Sequence, residues 1–339
     1  MFLTYQDCFF YIFDNNFESD INLMNFTTKI PIQKSNFPID YNSKIISIGS
    51  CFAENMGEKF EYFKFQNCVN PFGIIFNPIS IENLINRAVN KIEFTEKDIF
   101  FHNDLWHCYE VHSLLSDTSS ELMLEKLNKI LHFFRTQIIE ASHFIITYGT
   151  SWIYRNKVSN KEVANCHKVP QNQFDKEVLS VEIIEKSIED SIKLIQKINP
   201  KCNFIFTISP VRHIKDGFVE NQRSKAHLIT ALQKVVTLSL SKCNYFPSYE
   251  IMMDELRDYR FYADDMLHPS QSAIDYIWIK FFESYISENE FATMNQVCEI
   301  QRALKHRPFN PNSENHQIFL KKVNEKIRTL VSRYPQIQF

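Results

Sequence analysis

Two short stretches of the chain hold residues that could make and break bonds. Gly49-Ser50-Cys51-Phe52-Ala53 follows an apolar run and puts Cys51 at the start of a predicted helix. Unpaired N–H groups and the helix dipole at such a position favour the thiolate. Far downstream lies Asp264-Asp265-Met266-Leu267-His268-Pro269, a loop before another predicted helix. An aspartate three residues before a histidine can orient and charge-stabilise the imidazole within one loop. A thiol nucleophile, an imidazole base and an orienting carboxylate are the parts that nucleophilic catalysis needs.

Each residue also has a plainer reading. Free cysteine is commonly a small buried residue, and His268 could cap the helix that follows it. Asp264 reads as a solvated or capping neighbour. Arg212 and His213 follow the apolar run Asn203 to Ile208 and fall at the same predicted sheet edge. A guanidinium there could clamp a carboxylate or phosphate, or it could pair with Asp216 or Glu220. Asn165-Cys166-His167-Lys168 is a polar loop whose His167 could line a pocket. His102, His107 and His112 recur at a five-residue spacing that matches no common metal site.

The elements that must position these groups alternate. Apolar runs at Lys44 to Ile48, His143 to Tyr148 and Asn203 to Ile208 read as buried strands, with Tyr245 to Met252 as a weaker one. Helical spacing covers Ala53 to Phe65, Ile79 to Val89, Ser120 to Ala141, Ser180 to Ile198, Gln222 to Leu240 and Ser270 to Ile286. Ile99 to Leu115 reads as a hairpin. Strands separated by helices imply a parallel sheet covered on both faces. Only five glycines occur, and Gly49 and Gly149 come directly after predicted strands, at the edge where open α/β sheets bind ligands. The expected division is an extension over 1–23, an α/β domain over 24–290 and a helical segment over 291–339.

Bulk properties narrow the function classes. The 339 residues carry a net charge of −3, with 44% hydrophobic and 23% charged residues, as in an ordinary globular protein. No basic patch with interleaved aromatics points to nucleic acid. Eight scattered cysteines without a CxxC pair read as free thiols in a reducing compartment, so a cytoplasmic location is expected. The first residues lack the basic region and cleavage site of a signal peptide. No segment is long enough to insert in a membrane, and no metal or cofactor is called for. Oligomeric state leaves no mark in the sequence.

The stretches ISIGSCFAENMG, NPFGIIFNP, YGTSWIY, VANCHKVP, SPVRHIKDG and DDMLHPS, in this order, resemble the GSCFA family over residues 24–310. That family is similar to SGNH (GDSL-type) hydrolases. The resemblance implies a flavodoxin-like three-layer α/β/α sandwich with a mostly parallel five-stranded sheet and a C-terminal helical appendage. It puts Cys51 in the place of the nucleophile, with Ser50 beside it as the alternative. Asp265 and His268 match the late Asp-x-x-His. Gly73 is the implied second-loop oxyanion donor, and Gly149-Thr150-Ser151-Trp152 stands where Gly-x-Asn-Asp is expected, leaving Ser151 or Thr150 for the missing Asn. Losing one such donor typically costs about 10²–10³ in rate. Ser50, Asn70, Thr150, His167, Arg212 and His213 complete the implied substrate pocket. The expected function is hydrolysis or acyl transfer on an ester, such as an acylated carbohydrate or cell-envelope intermediate. The alternative is a non-catalytic glycan- or anion-binding protein. A redox-sensing thiol lacks a resolving cysteine beside Cys51.

Overall fold

The computed structural model describes residues 27–238 and 242–339. The expected extension over 1–23 lies outside them. Five apolar segments form one sheet: β1 (Lys44–Gly49), β2 (Gln66–Val69), β5 (His143–Tyr148), β9 (Asn203–Ile208) and β10 (Cys243–Phe246), in the order β10-β9-β5-β1-β2. Every neighbouring pair is parallel, and β1 meets β5 from Ile45 opposite His143 to Gly49 opposite Thr147. Counted along the chain, the order is the doubly wound one of flavodoxin-type sheets. It reverses between β1 and β5.

Alternation along the strands feeds two cores. Ile46, Ile48, Phe144, Ile146, Phe204 and Phe206 face one side and pack beneath the helices α2 (Pro78–Asn90), α3 (Ser120–Glu140), α4 (Val181–Ile198) and α5 (Phe218–Leu238). Ile45, Ile145 and Ile205 face the other, against α1 (Cys51–Tyr62), α6 (Gln271–Tyr285), α7 (Phe291–Lys305) and α8 (Glu314–Arg333). Each fully buried Ile or Phe contributes roughly 1.5–3 kcal/mol, so these two apolar layers, rather than the loops, hold the edge on which the candidate residues lie.

Two additions flank the sandwich. β3 (Ile99–His102) and β4 (Leu105–Cys108) make the expected hairpin. β6 (Trp152–Asn156), β7 (Glu162–Val163) and β8 (Phe174–Val178) form a small antiparallel sheet inserted after β5. The expected strand Tyr245 to Met252 stops at Phe246; Pro247 cannot continue a ladder, and short helical turns occupy 248–255.

Candidate active site

β1 ends at Gly49 with φ +140°, and a Cβ there would lie 2.1 Å from the Thr147 carbonyl oxygen, so only glycine lets β1 and β5 run so close before the chain turns. The Gly49 N–H donates to Asn70 Oδ1 at 2.8 Å and the Ser50 N–H to Thr147 O at 3.1 Å. Ser50, fully buried, caps α1 by accepting the Phe52 N–H at 3.3 Å. Cys51 is therefore the first residue of α1, half-buried beside the point where the strand order reverses. The thiol is not depressed as the helix terminus alone suggests. Burial and then the Glu54 carboxylate push it up, and the N–H groups of Phe52 and Cys51 together with Lys225 only partly offset them. Cys51 is a thiol at rest, because desolvation outweighs the dipole.

The second motif is assembled. His268 Nδ1 lies 2.5 Å from Asp265 Oδ2, while Asp265 Oδ1 accepts the N–H groups of Leu267 and His268 at 2.8 and 2.9 Å. These bonds hold the Asp265 carboxyl well down, at about 2. Both side chains remain about half exposed, at 45% and 48%. Arg212 fastens this loop: its N–H donates to Leu267 O at 3.2 Å, its guanidinium donates to Met266 O, and the cation lies over the rings of Tyr262 and Tyr259, at 4.3 and 5.3 Å. Neither pairing considered from the sequence occurs, since Asp216 is taken by Lys176. Arg212 gives one arm of its fork to the loop, while its Nε is buried without a hydrogen-bond partner among the described residues.

His213 stacks on Phe76 with ring centroids 5.2 Å apart, and a Cβ on Gly149 would meet its Nε2 at 3.1 Å. That nitrogen is buried without a hydrogen-bond partner among the described residues. Burial, and behind it the charges of Lys225 and His268, hold the ring neutral with a pKa of about 3. His213 thus bridges the ends of β5 and β9, next to His268.

The other expected donors are spent inside the fold. The Gly73 N–H closes a turn onto Asn70 O at 2.7 Å. Asn70 buttresses Gly49 from below. The Ser151 hydroxyl donates to Ser224 O at 3.2 Å and Thr150 Oγ1 lies 2.9 Å from Ser224 Oγ, so both are tied to α5. His167 is buried against the hairpin: Nε2 lies 2.7 Å from Cys108 O, the His107 ring is 4.6 Å away, and burial lowers its pKa to about 4. Among the described residues no hydrogen bond joins Cys51 to His268, and no group of three or more His, Cys, Asp or Glu could hold a metal. No helix there is long and apolar enough to cross a membrane.

One residue at this edge was not read from the sequence. Lys225 is 1% exposed, and its Nζ donates to Gly149 O at 2.8 Å and Ser209 O at 2.7 Å, tying the ends of β5 and β9 together. The signal was present: Asn221, Ser224, Lys225, Leu228, Leu232 and Val235 share the buried face of α5, so Lys225 falls in phase with the apolar positions.

A doubly wound parallel sheet with polar residues gathered where its strand order reverses defines an α/β protein of the flavodoxin-type layout. The chain belongs to the GSCFA family: residues 44–281 match it, and residues 297–339 match the GSCFA domain protein, C-terminal domain. No curated protein matches the chain.

Proposed function

We propose that the protein is a thiol-dependent enzyme of ester or acyl chemistry, built on the plan of the SGNH hydrolases it resembles. The observation that carries this reading is the Asp265–His268 pair. One ring nitrogen is engaged by the carboxylate at 2.5 Å, and the half-exposed ring leaves Nε2 open to accept a proton. Because Cys51 is protonated at rest, it needs such a base. His268 takes the Cys51 proton, the sulfur attacks the ester carbonyl, and His268 returns the proton to the departing alcohol, leaving a thioester. Water or a second alcohol, deprotonated by His268, then attacks the thioester, and the proton goes back to the sulfur. The Cys51 N–H, at the first position of α1, faces the oxyanion that forms on the carbonyl. The substrate class is a small or carbohydrate-borne ester.

The raised thiol favours a second reading, a glycan- or anion-binding protein in which Cys51 never ionises. One experiment separates the two. Wild type, Cys51→Ala and His268→Ala are incubated with activated acyl esters and acetylated sugars, and adducts are read by intact mass. An acyl adduct on Cys51 in the wild type, formed about 10²–10⁴-fold more slowly in His268→Ala, supports the enzyme. No adduct with any ester, or equal rates in the two proteins, defeats it.

A further inference from the structure

A lysine ammonium taken out of water normally sits against a carboxylate, because an unpaired buried charge is costly. Lys225 breaks that pattern. Two of its donors go to the neutral carbonyls of Gly149 and Ser209, and no carboxylate pairs with it among the described residues. The acid it senses, Glu250, is already held by the Tyr245 hydroxyl at 2.7 and 2.8 Å. The Tyr249 ring lies 5.4 Å from its Nζ, and His213 faces it as a neutral ring. Around Cys51, the facing charges are Glu54 on its own helix and Lys225 from α5. Cys51 also stands at this edge by geometry: the Ser50 N–H before it donates to Thr147 O, two residues from the Gly149 carbonyl that Lys225 holds.

We propose that Lys225 is the charge partner of Cys51, a positioning residue that pins the ends of β5 and β9 beside the thiol and stabilises its thiolate from inside the protein. With the amine protonated, the thiolate left when His268 takes the sulfur's proton meets a cation inside the protein. Burial brings the lysine to about 7, so its ammonium is available near neutral pH, and each charge favours the other. The nucleophile can then stay unionised in a dry site and still ionise without creating an isolated charge. This rests on Cys51 being the reacting group proposed above.

The test reads the pair without turnover. The rate of Cys51 alkylation by iodoacetamide is followed against pH by peptide mapping in wild type and Lys225→Met, which keeps the length and removes the charge. The midpoint is expected to rise by about one pH unit, so that alkylation at pH 7.5 slows roughly tenfold. An unchanged midpoint in a folded Lys225→Met overturns the pairing, as does a wild-type Cys51 that does not react below pH 10. If Lys225→Met does not fold, the reciprocal measurement decides. The Lys225 side-chain NMR signal is titrated in wild type and Cys51→Ala, and removing the sulfur is expected to lower its midpoint by a similar amount. Identical titrations overturn the pairing. A protein that shows the coupling but forms no acyl adduct fails the enzyme reading alone; acylation that depends on His268 but not on Lys225 fails the pairing alone.

Discussion

His213 sits between a buried lysine and a half-exposed imidazole, and it is held there as a neutral ring with a pKa of about 3. In the unfolded chain the same ring titrates near 6.5. Between those values the unfolded state binds the extra proton, so acid draws the protein toward unfolding: stability falls as pH drops from about 6.5 toward 3. At pH 4.5 this one residue costs on the order of 2 kcal/mol. His213→Phe keeps the stack on Phe76 and removes the titration. Its melting temperature is expected to fall less than that of the wild type between pH 7 and pH 4.5, and parallel curves for the two proteins refute the assignment. His167, lowered to about 4 by burial, adds to the same acid sensitivity and remains in both proteins. The candidate residues Cys51, Asp265 and His268 were legible because their chemistry is local: a helix start and a tight loop. What could not be read is how their neighbours are used. Ser151, Thr150 and Gly73 offer suitable donors in sequence, and only the fold shows them bonded to Ser224 and Asn70.

Elements set where these groups stand, and two are exposed to single changes. The turn from β1 into α1 depends on Gly49, whose added Cβ would strike the Thr147 carbonyl while φ is +140°. Gly49→Ala is expected to cost about 3 kcal/mol or more in urea unfolding, from the clash and the φ together; a cost below about 1 kcal/mol would show that β1 and β5 can separate. The loop 259–268 is held by one guanidinium arm of Arg212 on Met266 O and by the same cation over the Tyr262 ring. Arg212→Lys keeps the charge and loses the planar fork. Hydrogen exchange at the Leu267 and His268 amides is expected to accelerate severalfold, with the rest of the sheet unchanged. The helices themselves announce their starts: Ser50, Asn77, Ser119, Ser180 and Ser270 each cap with a side-chain oxygen. β2, β6 and β8 carried no such signal. Gln66–Val69, Trp152–Asn156 and Phe174–Val178 mix charge or amide with apolar residues, so no apolar run marks them. α7 and α8 are the helical segment expected over 291–339, but the bounds of α7 were not legible because its buried positions, from Thr293 to Ile300, are interleaved with polar residues.

At the scale of the whole molecule, residues 334–337 are structural. Tyr334 packs on Tyr41 at 4.9 Å and bonds Glu290 at 3.0 Å, Gln336 Nε2 donates to Tyr41 O at 2.8 Å, and Ile337 is buried. Removing residues 334–339 strips the cover from Tyr41 and Phe65, which stack at 4.4 Å. A loss of about 2–4 kcal/mol is expected, read as a lower melting temperature; an unchanged value would make the tail ornamental. Four of the five parallel strands and the helices on both faces were readable from apolar period, while this closure, made by the last few residues on a loop before β1, has no periodic signature.

The small sheet β6–β8 leaves the main fold at Ser151 and returns at Leu179, whose N–H donates to Ser151 O at 2.9 Å. Its exit and entry are thus one hydrogen bond apart, and Lys176, lying over Trp152 and Tyr154, ties its outer strand to Asp216 beside His213. A segment whose two ends meet behaves as a cassette: it can lengthen, shorten or be swapped for another without moving the strands that flank it. The small sheet can therefore change in length or sequence while the strand ends that carry Cys51 and Lys225 stay in place, and exchanging the 152–178 segment should leave the reactivity of the thiol toward iodoacetamide unaltered.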